Sequence, residues 1–63
     1  MSTVIGYIFI NASGYPLGNV QPTLEEAEHV ARFEERGWFL TVERDEHTGV
    51  VHLRRIYQLG AIA

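Results

Sequence analysis

Apolar residues open the chain as a run, VIGYIFI, whose alternation sets Val4, Gly6, Ile8 and Ile10 on one side of a strand and Ile5, Tyr7 and Phe9 on the other. Both sides are apolar, so a strand from Thr3 to Ile10 needs cover on two faces. Asn11-Ala12-Ser13-Gly14 supplies a turn, and a second strand is expected over Tyr15 to Val20. Pro16 and Gly18 make that strand short or irregular and place it at a sheet edge, because proline has no amide to donate. Thr23-Leu24-Glu25-Glu26 reads as a capping box: the Thr23 hydroxyl faces the amide of Glu26, and the Glu26 carboxylate reaches back to the amide of Thr23. Leu24, Ala27, Val30 and Ala31 follow at helical spacing, Glu28 precedes Arg32 by one turn, and Gly37 supplies a stop. These positions predict a helix from Leu24 to Arg36. Alternation then returns in Trp38 to Arg44 and in Val50 to Leu59, two strands joined by the turn Asp45-Glu46-His47-Thr48-Gly49.

The order strand, strand, helix, strand, strand predicts one domain over residues 1–63. Its expected class is α+β in two layers, with a single helix packed on a three- or four-stranded antiparallel sheet, β-β-α-β-β. Trp38, Leu40 and Val42, with Val51, Leu53, Tyr57 and Leu59, are expected beneath the helix together with Val4, Ile8 and Ile10. The opposite face then holds Ile5, Tyr7, Phe9, Phe39, Val50 and Ile56, interrupted by Thr41, His52 and a Glu43–Arg54 pair. One helix covers one face, so this second face is expected to meet another protein. The competing arrangement folds the tail, Gly60 to Ala63, or the Tyr15-Pro16-Leu17 segment across it within one chain.

Size strengthens the expectation of a partner. A 63-residue chain without cysteine has neither a disulfide nor a thiolate-held metal to support a small core, which leaves self-association as a support. Charge narrows the choice of partner: five arginines, no lysine and eight carboxylates give a net charge of -3, against the basic balance of nucleic-acid binders. The carboxylates fall in two segments, Glu25, Glu26, Glu28, Glu34 and Glu35, then Glu43, Asp45 and Glu46, which suit a basic groove on a protein or a solvated face. The seven-residue apolar run is far below a membrane span and has no basic flank, so a soluble cytoplasmic protein with no membrane contact is expected.

Candidate chemistry adds little. His47 and His52 share a hairpin, but they need a third ligand such as Glu43 or Asp45 and match no zinc spacing, and His29 falls on the polar side of the helix. No metal or other cofactor is expected. The hydroxyls of Ser2, Ser13, Thr23, Thr41 and Thr48 stand in no triad or nucleophile-elbow context, so no catalytic residue and no enzyme is expected. Tyr7 and Phe9 beside Phe39 could form an aromatic platform for single-stranded RNA, and YIFIN is similar to the first-strand motif of RNA-recognition modules. Those modules need a second helix and a basic aromatic strand, which this chain lacks.

TLEEAEHVARFEERGWFLTVER, a capped acidic helix followed by glycine, an aromatic residue and a threonine-containing strand, resembles the plan of small phage-encoded inhibitors. The RNA-polymerase inhibitor of T7-like phages and anti-CRISPR proteins built from a sheet and one helix share that plan. The resemblance spans Thr23 to Arg44, and the remainder agrees in strand order. It implies an acidic plug in the host cytoplasm that blocks a nucleic-acid-binding surface or a subunit contact of a larger host complex. The contact residues would be Ile5, Tyr7, Phe9, Phe39, His52, Arg54 and Ile56 on the sheet, which supply burial. Glu25, Glu28, Glu35, Asp45 and Glu46 would stand in for phosphates and steer encounter. The alternative from another class is a structural homodimer or larger homo-oligomer that pairs through its sheet, and RNA binding on the sheet face is the lesser alternative.

Overall fold

Short polar side chains close both hairpins. Asn11 Oδ1 accepts from the amides of Ser13 and Tyr15, each at 3.0 Å, and Gly14 takes φ +88°. Asp45 Oδ1 accepts from the amides of His47 and Thr48 at 2.8 and 2.9 Å, and Gly49 takes φ +73°. Both glycines occupy the left-handed region, where a side chain is strained.

The computed structural model describes residues 1–60. In chain order they form β1 (Ser2–Asn11), β2 (Pro16–Gln21), α1 (Leu24–Val30), β3 (Gly37–Asp45) and β4 (Val51–Leu59). The strands make one antiparallel sheet in the order β2-β1-β3-β4, so the protein is a small α+β domain with one helix and a four-stranded sheet. The order of elements is the one the sequence pattern predicts. The expected contact of the tail falls, from Ala61 onward, outside the described residues.

The sheet order explains the position of the helix. β2 and β3 each run opposite to β1 and lie on either side of it, so they are parallel to one another and the chain between them must cross over β1. α1 is that crossover, and it packs on β1 and β2. Thr23 caps it, its hydroxyl oxygen accepting from the Glu26 amide at 3.2 Å. The Glu26 carboxylate meets the Thr23 hydroxyl instead of its amide.

The helix is shorter than its spacing predicts. It ends at Val30, and the chain then tightens as the amides of Arg32 and Glu34 donate to the carbonyls of His29 and Ala31. Gly37, expected as a helix stop, opens β3 instead. Seven residues make a helix of about 10 Å, over strands of nine and ten residues that run about 30 Å. Much of the strand length therefore lies beyond the helix.

The helix also covers the face opposite to the one expected. Phe9, Ala27, Ala31 and Phe39 form the buried core, with Tyr7, Leu17, Leu24 and Leu59 packed against it. Phe9 and Phe39 are 1% and 2% exposed, and their rings lie 4.8 Å apart, tilted by 58°. Tyr57 stacks on Phe39 at 4.6 Å. Ala27 and Ala31 have no bulk beyond Cβ, so the helix lies close enough to be filled by large rings from the sheet. Trp38, Leu40 and Val42 alternate with these positions and point to the other side.

Two of the three register shifts in the sheet reverse the alternation and move further residues from their expected faces; the third lies between β1 and β2, at Tyr7 to Phe9. The register of β1 against β3 slips between Val4 and Gly6, which leaves Ile5 unpaired and puts Val4 opposite Glu43, apart from Ile8 and Ile10. The register of β4 slips between Arg55 and Tyr57, leaving Ile56 unpaired. Tyr57 and Leu59 thereby join the helix side opposite Phe39 and Gly37, while Val51 and Leu53 stay on the other side opposite Arg44 and Val42.

Replacing Phe9 or Phe39 by alanine is expected to remove about 3 to 5 kcal/mol, most of the stability of a domain this size. Urea unfolding followed by circular dichroism checks this, and a variant with an unchanged midpoint would contradict the assigned core. Gly37→Ala is expected to destabilise as well, because a Cβ there would overlap the Phe9 ring and the Ile10 carbonyl oxygen.

Candidate functional site

The side of the sheet away from the helix carries an apolar surface. Ile8 and Ile10 of β1 stand opposite Leu40 and Trp38 of β3, and Leu53 of β4 stands opposite Val42. Residues paired in register project to the same side, so these six side chains form one patch across three strands. Val20 and Val51 extend it and, with Leu53, are about half exposed, at 48%, 53% and 51%, whereas Ile8, Ile10, Trp38 and Leu40 are partly buried between their neighbours and Val42 is buried. Gly6 keeps the patch level, because a Cβ there would strike Val20. Arg55 lies over the Trp38 ring with its guanidinium carbon 5.1 Å from the centroid, and this contact orients the indole at one end of the patch. Arg44 marks the other end of the same row on β3. Among the described residues no pocket interrupts this surface.

The helix side closes itself differently. Beyond the reach of α1, Thr41 and Glu43 are 4% and 6% exposed although both are polar. The Thr41 hydroxyl donates to Glu43 Oε2, Arg54 Nε donates to the same oxygen at 2.9 Å, and His52 Nε2 stands 3.8 Å from Oε1. The expected Glu43–Arg54 pair is present. Its guanidinium and the imidazole are largely exposed, so this half of the face is roofed by its own polar side chains. The Thr41 hydroxyl, followed by Arg54, holds the Glu43 carboxyl below its ordinary value against the opposing effect of burial. Tyr57 donates its hydroxyl to Glu28 and ties β4 to the helix. Burial, then that carboxylate, push the Tyr57 phenol up to about 12.

Most of the expected contact residues fall elsewhere. Tyr7, Phe9 and Phe39 belong to the core under α1, so they neither present an interface nor form a platform for stacking bases. Ile5 and Ile56 are exposed at the two bulges, and His52 and Arg54 surround Glu43 on the helix side. Among the acidic residues, Glu28 is held by Tyr57, Glu46 accepts from Thr3 at 2.8 Å, and Asp45 caps its own turn, whose amides hold its carboxyl low. Glu25 and Glu35 are exposed on the helix and on the turn after it. Arg32 donates to the His29 carbonyl and lies over Phe33, and it makes no bond to Glu28. Among the described residues no three of His, Asp and Glu converge, and no helix is long and apolar enough to cross a membrane. Pattern alone places Ile8, Ile10, Trp38, Leu40, Val42 and Leu53 beneath the helix. The signal for their true place was the pairing of large rings with the two alanines of the helix.

Comparison with protein families, with curated proteins and with solved structures gives no match.

Two of the displaced titrations, those of Glu43 and Tyr57, set opposite limits on stability. The depressed Glu43 contributes fully above the ordinary carboxylate value of 4.5 and loses that contribution as pH falls through its lower folded value. Tyr57 is favoured in its neutral form, so its contribution is full below 10 and disappears as pH rises through about 12. Melting temperature measured against pH is expected to fall at both ends. Glu43→Gln should make the acid side shallower, Tyr57→Phe should do so for the alkaline side, and unchanged slopes would contradict these contacts.

Proposed function

We propose that the protein is a non-enzymatic binding module that works by laying the open face of its sheet against another protein. The observation that supports this reading is the patch of Ile8, Ile10, Trp38, Leu40, Val42 and Leu53, which lies on the side away from α1. Folding removes apolar surface from water at roughly 25 cal/mol per Å², and a sheet with one apolar face left open retains that driving force for association. Tryptophan and arginine at one end, around an aliphatic centre, is the composition of surfaces that bind protein.

The class of activity in this proposal is blocking, as the resemblance to small phage-encoded inhibitors implies: the domain occupies a surface that a larger complex of its host needs for nucleic acid or for a subunit. The exposed Glu25 and Glu35 give the outer layer an acidic character suited to a basic surface. The chain itself would act without a cofactor and without direct contact to nucleic acid or membrane.

A photo-crosslinking benzophenone amino acid placed at Leu53, on the open face, is expected to form a covalent adduct with a protein in the producing cell. The same group at Glu25, on the helix, reports whether the outer layer is also in contact. Absence of any adduct from position 53, with the labelled protein folded, would overturn the assignment of this face.

A further inference from the structure

We infer that the occupant of the open face is a second copy of this chain, the two sheets stacking face to face about a two-fold axis. This rests on the reading of the face as a contact surface and names its partner, and it leaves the acidic helical layer, with Glu25 and Glu35, as the side that would meet a host complex. Three features of the face favour a copy of itself. The first is area: the two longer extents of the molecule, 37 and 23 Å, set an upper limit of about 850 Å² on the projected area of the face, which admits an interface of the roughly 800 Å² per partner that a stable complex buries.

The second is charge. The strands contribute no carboxylate to this side: its charged members are Arg44 and Arg55, and Glu46 stands only at the end beside Thr3. Stacking two copies therefore opposes no carboxylates and leaves Arg44 and Arg55, which approach the same Trp38 from the two copies, as the like charges to be kept in water at the rim, while the acidic residues Glu25, Glu28, Glu34 and Glu35 of both helical layers turn outward. A chain of net charge -3 can associate with itself in this way without bringing its acidic surfaces together.

The third is the order of residues along β3. The row Trp38, Leu40, Val42, Arg44 has an aliphatic centre with an aromatic ring at one end and a guanidinium at the other. A two-fold axis between Leu40 and Val42 reverses the row, setting Leu40 against Val42 of the second copy and each Arg44 near the other copy's Trp38. The surface thus meets the requirement of a two-fold interface, that the same patch complement itself. The product is a sandwich of two sheets about 10 Å apart, flanked by one helix on each outer side. It enlarges the core of a domain whose buried hydrophobic residues, among those described, are Phe9, Ala27, Ala31, Phe39 and Val42.

Light scattering after size exclusion, over a roughly hundredfold range of concentration, tests the inference. The mass expected at the upper end is twice 7.2 kDa. Leu53→Glu, at a half-exposed position, is expected to keep cooperative unfolding and to weaken the dimer by at least about tenfold. Leu40→Glu, nearer the centre, should do the same where it folds. A dimer that survives Leu53→Glu unchanged would overturn the inference, since it would have to form elsewhere. A wild-type monomer at every concentration would also overturn it, and the adduct from position 53 then separates the two readings. An adduct of the chain with a different protein leaves the contact face standing with another occupant, and no adduct removes both.

Discussion

The contact of Phe9 with Phe39 beneath Ala27 is the constraint on which the rest of the domain depends. It joins the two central strands and the helix at one point, in a chain too small to hold a second such cluster on the helix side. Because α1 must cross β1 between two parallel strands, its landing place is set by the sheet order, and Phe9 lies on the strand it crosses. Gly37 follows from the same contact, since the Phe9 ring and the Ile10 carbonyl occupy the space a side chain there would need. The aromatic stack then continues outward through Tyr57, whose hydroxyl returns to the helix at Glu28.

The elements were legible because their signals are local. Thr23 and Glu26 mark the helix start, Asn11 with Gly14 and Asp45 with Gly49 mark the hairpins, and alternation marks the strands. The faces were not legible, for two physical reasons. Both faces of β1 and β3 are apolar near their centres, so counting hydrophobic positions favours Trp38, Leu40 and Val42 over Phe39, Thr41 and Glu43, and the count cannot see that a helix with two alanines accepts rings more readily than it needs a long stripe. The bulges at Ile5 and Ile56 then reverse the alternation inside a strand, and nothing in VIGYIFI or VHLRRIYQL announces which residue is the extra one.

Helix length is not legible in the sequence for a related reason. Leu24, Ala27, Val30 and Ala31 establish a start and a face, but the end depends on where the chain must arrive, and β3 begins close by at Gly37. The helix starts just after Gln21, which stands opposite Tyr7 and so level with Thr41, and it runs toward Gly37, so Thr41 and Glu43 lie past its first turn, where no lengthening toward Arg36 would cover them. Their presence on the helix side of β3 marks, in the sequence, the part of the sheet that extends past the start of the helix.

The two sides of the sheet solve the same problem in different ways, and the difference bears on which of them is built for contact. Beyond the helix, the inner side is closed by Thr41, Arg54 and His52 gathered on Glu43, a polar roof that satisfies its own hydrogen bonds and leaves charged groups in water. A surface of that kind loses hydration on docking and gains little from burial. The outer side has no comparable roof: Arg55 shelters Trp38, and the aliphatic centre of Ile8, Leu40 and Leu53 has only its strand neighbours. There, removing water from side chains that offer it no hydrogen bonds favours association at every step. The asymmetry is the ground for proposing that the outer side takes a partner, a second copy above all, which would complete a core that one short helix cannot.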